Sequence, residues 1–273
     1  MTPYRGGAFA IVETQVSDHG LSLLRAAHEL GYYTVLVSSD PDLYCALPCA
    51  HEAFTRHVDH IIETDTTSAD AIVEALSNLP VGRRVLGVCT GADDRMVPTA
   101  DVARQLGLPG LSPRTARVLR SRSLLRSVCA QAGISVVARP RRGWRISAVA
   151  VYVDGAHRVL AITPTAAPHR KSVDLVHRAL TAVGHAFGAA HVELTLSLGQ
   201  PRLVQITGMP SAELARLALE RSGVHLPYEL VRLTAGLASA ASGPRRLIAC
   251  SQPFTPSSGM LLRVVPRPWL PCR

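Results

Sequence analysis

The first part of the chain, up to Gly107, alternates short apolar segments with amphipathic ones, and this alternation leaves few folds open. Apolar runs typical of β-strands occupy residues 8–13, 33–37, 58–63 and 84–90. The segments between them repeat apolar residues at helical spacing, and Ser68 is a candidate helix N-cap. Strands that alternate with helices in this way form parallel sheets. The sequence therefore predicts an α/β fold that begins with a doubly wound parallel sheet.

Polar residues follow several of these predicted strands, at the sheet edge where ligands of such folds bind. None of the loops contains a glycine pattern that cradles phosphates, neither G-x-G-x-x-G nor G-x-x-x-x-G-K-[ST]. Two interpretations stay open: a small-molecule site at this edge, or loops that merely connect the elements. The candidate substrate-pocket residues at this edge are Glu13, Ser39, Asp40, Thr90 and Asp93.

The second part of the chain changes from alternation to paired strands. One hairpin is predicted from residues 147–153 and 159–163, and a second pair of strands surrounds the turn Gly199-Gln200-Pro201. Helices are predicted over residues 172–188 and 211–222, where apolar side chains recur at helical spacing. This arrangement indicates an α+β domain.

His191 and Glu193 occupy alternate positions of one predicted strand, so both side chains point to the same face. A histidine beside a glutamate can act as a general base or bind a metal ion, which makes the pair the candidate catalytic site and Glu193 a candidate metal ligand. The alternative is a structural pair on a sheet face. Further candidates for this pocket are Gln205 and Thr207 on the next strand, with Arg139, Arg142 and His185 as a clamp for a carboxylate.

Several short motifs occur in the same order as in a known enzyme family. They are Val12-Glu13-Thr14, Ser39-Asp40-Pro41, Thr90-Gly91-Ala92-Asp93, Leu106-Gly107-Leu108-Pro109-Gly110, and Arg122-x3-Arg126 followed by Ala132-Gly133-Ile134. This succession resembles the ATP-grasp carboxylate–amine ligases, especially the L-amino-acid ligase branch. The resemblance over residues 8–140 implies a pre-ATP-grasp-like first domain. The later strand pair resembles the end of that family's nucleotide site, which implies that Glu193 is the remnant of a metal-binding glutamate.

The motif on the second strand of that pair departs from the family pattern. Where the family carries Glu-x-Asn-x-Arg, this chain reads Gln205-Ile206-Thr207-Gly208-Met209, and Arg122 replaces the family's lysine. The resemblance also implies a glycine-rich nucleotide-binding subdomain after residue 140, yet the sequence runs almost directly into the strand predicted at residue 147. We therefore expect a reduced ATP-grasp-like second domain lacking most of that subdomain, with no cofactor and with binding of ATP and Mg²⁺ weak or absent. The expected domains are residues 1–140 and 141–240, followed by an extension over 241–273.

These departures favour a protein of amino-acid or specialised (natural-product) metabolism that has lost ordinary ATP-dependent carboxylate–amine ligation. We expect a non-catalytic subunit, as a homodimer or beside a partner enzyme, because faces left by a deleted subdomain must be covered. Two alternatives stay open. One is an ATP-independent enzyme acting on an amino-acid-like small molecule in the remnant pocket, and the other is a residual ATP-dependent carboxylate–amine ligase.

Composition narrows the choice of partners. The net charge is +9, and Lys171 is the only lysine among 29 Lys and Arg residues. The arginines are dispersed and aromatic residues make up only 4%, so no nucleic-acid partner is expected. A group of arginines at helical spacing is interpreted as a solvent-exposed helix face: Arg117, Arg120, Arg122 and Arg126. Because no apolar run approaches membrane-spanning length and no secretion signal is predicted, we expect a cytoplasmic protein without a membrane partner.

Overall fold

The computed structural model describes residues 6–14, 18–45, 54–80, 83–138, 145–164, 169–239 and 241. The β-strands are β1 (Gly7–Val12), β2 (Tyr33–Ser38), β3 (His60–Glu63), β4 (Arg84–Cys89), β5 (Arg145–Val153), β6 (Ala156–Thr163), β7 (Gly188–Ser197) and β8 (Gln200–Thr207). The α-helices are α1 (Asp18–Glu29), α2 (Asp42–Cys45), α3 (Ala69–Ser77), α4 (Met96–Gln105), α5 (Pro113–Arg120), α6 (Arg122–Gln131), α7 (His169–Ala182), α8 (Ala212–Ser222) and α9 (Leu226–Thr234). A 3-10 helix over Asp93–Arg95 precedes α4. No helix within the described ranges is both long enough and apolar enough to cross a membrane.

The first sheet has the order β3-β2-β1-β4, and all of its neighbouring strands are parallel. Every residue of β1 is buried, as expected for the central strand of a sheet covered on both faces. One face packs in an apolar cluster with side chains of α3 and α4, such as Ile72 and Val102. The other face contributes Phe9 and Ile11 to a cluster with α1 and α9. The predicted doubly wound parallel sheet is confirmed.

The second sheet has the order β6-β5-β7-β8, and its strands are antiparallel. Both hairpins turn through two residues with positive φ, Asp154-Gly155 in one and Leu198-Gly199 in the other. Two such residues suit the twist of a tight hairpin, and the predicted strand pairs are confirmed. The turn predicted at Gly199-Gln200-Pro201 is wrong in its position, because Gln200 and Pro201 already belong to β8. The helix predicted over 172–188 is wrong at its carboxyl end. Helix α7 ends at Ala182, and Gly184 follows with a φ of 70°, a left-handed conformation that stops a helix.

The helices between the two sheets bind the halves of the molecule together. Helices α5 and α6 come from the first part of the chain, yet their buried side chains, such as Leu119 and Cys129, join the core beneath the second sheet. In the opposite direction, Leu230 of α9 joins a cluster with Phe9 of β1. The carboxyl end of β4 lies beside the start of β7 and the end of β8, since residues from all three places line one cavity. Cys129, which lies one helical turn after Leu125, is fully buried.

Candidate binding site at the junction of the two sheets

Glu13, directly after β1, is the centre of a hydrogen-bond network at the carboxyl edge of the first sheet. Its φ of 52° places a non-glycine residue in the left-handed region, which is unusual and is typical of a constrained site. Its main-chain oxygen accepts from the Gly91 N–H at 3.0 Å. The donors to its carboxylate are Ser38 Oγ at 3.0 Å, Ser39 N at 2.7 Å, Ser39 Oγ at 2.9 Å, Tyr44 Oη at 2.8 Å and Thr66 Oγ1 at 3.1 Å. This set is called the Glu13 network below.

The Glu13 network determines the charge of its central carboxylate. Burial by itself would raise the pKa of Glu13, but the hydrogen bonds from Ser39, Tyr44 and Ser38 outweigh burial and lower the pKa. Tyr44 responds in the opposite direction, because burial and the hydrogen bond to Glu13 raise its pKa. Glu13 is therefore an anion whose acceptor sites are already taken by the protein.

The 3-10 helix over Asp93–Arg95 connects this network to a second group of polar residues. Arg95 donates from Nε to Thr66 Oγ1 at 2.9 Å, and its Nη1 lies 2.5 Å from Asp94 Oδ2. Asp93 points elsewhere: its Oδ1 is buried and has no hydrogen-bond partner among the described residues. Burial raises the pKa of Asp93, the nearby Arg120 opposes that shift, and Asp94 adds to it.

Asp93 lines a cavity of about 210 Å³ between α5, α6 and strand β8. Arg120 and Arg122 are exposed at the mouth of this cavity, and Gln205 and Thr207 reach it from β8. Arg122 also donates to the main-chain oxygen of Val137 at 3.3 Å. A half-buried carboxylate that shares a cavity with two guanidinium groups can bind a molecule that carries both an ammonium and a carboxylate. We call this cavity the polar cavity.

His191 and Glu193 lie on one face of β7, as the period-two spacing predicted. In the antiparallel register, His191 is opposite Thr207 and Glu193 is opposite Gln205, so all four side chains belong to the same face of the sheet. Glu193 is buried, whereas His191 is half-buried. Within the part of the chain that the structure describes, no group of three or more His, Cys, Asp or Glu residues is arranged to hold a metal ion.

The structure divides the predicted site residues into two groups. Ser39, Asp40 and Thr90 lie around Glu13: the Asp40 N–H donates to Ser38 Oγ at 3.1 Å, and Thr90 Oγ1 donates to the Glu13 main-chain oxygen at 3.3 Å. Asp93, by contrast, shares the polar cavity with Gln205 and Thr207. The predicted clamp residues Arg139 and Arg142 lie outside the described residues.

His185, the remaining member of the predicted clamp, is buried in the turn between α7 and β7. Its Nε2 lies 3.3 Å from the Ala189 main-chain oxygen, and its ring centroid is 5.7 Å from that of His157. Burial, followed by the proximity of His157, lowers the pKa of His185 to about 4. A neutral, buried imidazole is poorly suited to holding a carboxylate.

Arg120 and Arg122 are site residues that were not predicted, because the helical spacing of the arginines indicated one solvent-exposed helix face. The interpretation is right in that all four arginines are exposed. They belong to two helices, however, since Ser121 ends α5 and caps the start of α6 through a hydrogen bond from the Leu124 N–H. Arg117 pairs with Asp101 at 2.8 Å away from the cavity. The sequence signal that Arg120 and Arg122 belong to different helices is the serine between them, since serine is a common helix cap.

Comparison with known proteins finds a family model that matches part of the amino-terminal region. Residues 24–110 match the family model of the ATP-grasp N-terminal domain. A curated relative, the uncharacterized protein y4rH of Sinorhizobium fredii, is 25% identical over 118 residues, which is 43% of this chain. The match spans only 23% of that relative's length.

Solved structures extend the likeness to most of the chain. The L-amino acid ligase of Bacillus licheniformis superposes with a TM-score of 0.69 at 16% identity, covering 85% of this chain and 74% of the ligase. The N5-carboxyaminoimidazole ribonucleotide synthetase purK, solved as an ADP complex, gives a TM-score of 0.65 at 11% identity over 88% of this chain and 80% of that one. At these identities the structures show the fold. Together with the family match, they confirm the resemblance that the sequence motifs indicated.

Proposed function

We propose that this chain, which carries an ATP-grasp N-terminal domain and the fold of the ATP-grasp ligases, binds a small amino-acid-like molecule and has lost ordinary ATP-dependent ligation. We propose further that it serves amino-acid or specialised metabolism as a non-catalytic subunit that supports a partner enzyme. The observation that carries the proposal is the set of side chains around the polar cavity, which suits a zwitterion better than magnesium and nucleotide phosphates.

The chemistry of the donor groups supports the loss of ATP-dependent ligation. Mg²⁺ prefers anionic oxygen ligands in octahedral geometry. On the shared face of β7 and β8, Glu193 is a carboxylate, but Gln205 offers an amide and Thr207 a hydroxyl. These groups fit a magnesium–phosphate site poorly.

The connection between the two sheets supports the same conclusion. Only residues 139–144 separate the described segment that ends at Ala138 from strand β5, which begins at Arg145. A segment of six residues spans at most about 20 Å and has no room for a folded subdomain. This short connection supports the proposal that the chain lacks the nucleotide-binding subdomain that the family resemblance implies at this point.

Calorimetric titration of the full chain tests this proposal. We expect Mg²⁺·ATP to give no saturable binding up to millimolar concentration, whereas a free α-amino acid binds at one site. Scattering measurements across protein concentrations test the subunit role, for which we expect a homodimer or a complex with a partner enzyme. Tight, magnesium-dependent ATP binding would overturn the proposal and favour a residual ligase instead.

A second candidate function is favoured by His191 and Glu193. They share one sheet face with Thr207, which lines the polar cavity, and a glutamate beside a histidine can make the imidazole a general base. This arrangement suits an ATP-independent reaction on an amino-acid-like substrate. If the pair is catalytic, His191→Ala and Glu193→Gln each lower turnover by at least tenfold with little change in melting temperature. If the pair is structural, both changes lower the melting temperature and leave the activity of the folded fraction intact.

A further inference from the structure

A second, apolar cavity lies at the junction of the two sheets. Its volume is about 90 Å³, and its lining is almost entirely apolar. Its walls come from the carboxyl end of β4, from α4 and α9, from the segment where β7 begins and from the segment that follows β8. The lining residues that matter for the argument are Met96, Ala100, Phe187, Gly208, Met209 and Leu230. We call it the apolar cavity.

The two cavities are neighbours along the chain and in space. Met96 lines both of them. Thr207 lines the polar cavity, and the next residue, Gly208, lines the apolar cavity. Asp93, the half-buried carboxylate of the polar cavity, is three residues before Met96. A ligand held by Asp93 and the arginines would therefore reach the apolar cavity past the flexible side chain of Met96, which has to turn aside to admit it.

The side chain of Met96 packs closely against the main chain at Gly208, at the junction of the two cavities. A Cβ added to Gly208 would lie 2.6 Å from Met96 Cε and 3.1 Å from its Sδ. The thioether is flexible and unbranched, so it can move, and both of the cavities that it lines offer space. The residue at 208 therefore affects the volume available on either side of Met96.

We infer that the ligand of the proposed site is an α-amino acid with a small aliphatic side chain. The polar cavity receives its charged groups and the apolar cavity receives the side chain. This inference rests on the proposed function and adds the chemical class of the ligand. Met96, Gly208 and Met209 are then specificity-determining residues.

The size of the apolar cavity sets the length of the side chain. An apolar cavity of about 150 Å³ accommodates a benzene molecule, which has six carbons. By proportion, a cavity of 90 Å³ accommodates about four carbons. A leucine side chain has this size, whereas a phenylalanine side chain exceeds it.

A series of free amino acids tests the inference by calorimetry on the full chain, with glycine, alanine, valine, leucine and phenylalanine as the probes. We expect the affinity to increase roughly fourfold for each carbon that enters the cavity, up to leucine, and to fall for phenylalanine. If all five bind with the same affinity, this inference is wrong and the proposed amino-acid site stands. If none binds, both are wrong.

Two substitutions on either side of the junction sharpen the test. In Gly208→Ala the methyl group is added to the lining of the apolar cavity and narrows it, so alanine becomes the preferred probe. In Met96→Ala the cavity enlarges, so phenylalanine binds at least as tightly as leucine. The control is Leu124→Ala, which removes an exposed apolar side chain outside both cavities and leaves the order of affinities unchanged. A variant that loses stability but keeps leucine as its preferred probe contradicts the inference, because a merely structural role does not reorder the series.

Discussion

Glu13→Ala is expected to lower the free energy of unfolding by on the order of 3 kcal/mol. The substitution removes the acceptor for the hydroxyls of Ser38, Tyr44 and Thr66, all of which belong to buried residues. A buried polar group left without its partner costs about 1–3 kcal/mol, and Tyr44 retains its contact with Thr14, which limits the total. Chemical denaturation monitored by circular dichroism measures the change.

The matched control for this prediction is Glu63→Ala. Glu63 ends a neighbouring strand and is exposed, so its removal should change stability by no more than about 0.5 kcal/mol. Equal losses in the two variants would show that the Glu13 network contributes nothing specific.

The pH dependence of unfolding gives a second measurement of the Glu13 network. The network holds the pKa of Glu13 below its ordinary 4.5, because the hydrogen bonds outweigh burial. Its contribution is therefore present above pH 4.5 and is lost as the pH falls through the lowered pKa. The stability of Glu13→Ala should accordingly fall less steeply than that of the unmodified chain in this acidic range.

Combined replacement of Arg120 and Arg122 by alanine is expected to weaken binding of an α-amino acid by about 100-fold. A hydrogen bond to a charged group contributes about 1.5–3 kcal/mol, and the exposure of both side chains places each at the low end of that range. Each guanidinium then accounts for roughly tenfold. The melting temperature should change little, because neither arginine is buried. Calorimetry with leucine, and with its analogue lacking the carboxylate, measures the effect.

Arg126→Ala is the control for this second prediction. Arg126 lies on α6 with Arg122 and is also exposed, but it does not line the polar cavity. Its removal should leave affinity within twofold of the unmodified chain. If it weakens binding as much as Arg122→Ala does, the effect reflects net charge, and the polar cavity is not the site. The analogue without a carboxylate should bind the unmodified chain and the double variant equally weakly.

The sequence was sufficient to predict the edge of the first sheet where the candidate residues gather. Carboxyl ends of parallel strands meet at one edge, so the positions of Glu13, Ser39 and Thr90 followed from the strand pattern. Two of the partners of Glu13 did not follow from it. Tyr44 lies on the four-residue helix α2 and Thr66 in a loop, and no periodic pattern relates either of them to β1.

The polar cavity was only partly predictable for a related reason. Period-two spacing placed Gln205 and Thr207 on the face of His191 and Glu193, and the register confirms this. Arg120 and Arg122 were assigned to solvent because the helical pattern was continued through Ser121, where one helix ends and the next begins. The helix α7 was predicted too long, because apolar residues keep helical spacing beyond its end. That spacing gives no sign of the left-handed conformation of Gly184, which stops the helix.

The measurement that tests the central claim most directly is turnover with Mg²⁺·ATP. The full chain is incubated with Mg²⁺·ATP, leucine and alanine, and released phosphate and the dipeptide are quantified together. We predict phosphate release no greater than in a protein-free control and no dipeptide, in a preparation that binds leucine by calorimetry. Phosphate release in proportion to dipeptide formation would contradict the account and identify the chain as an active ligase.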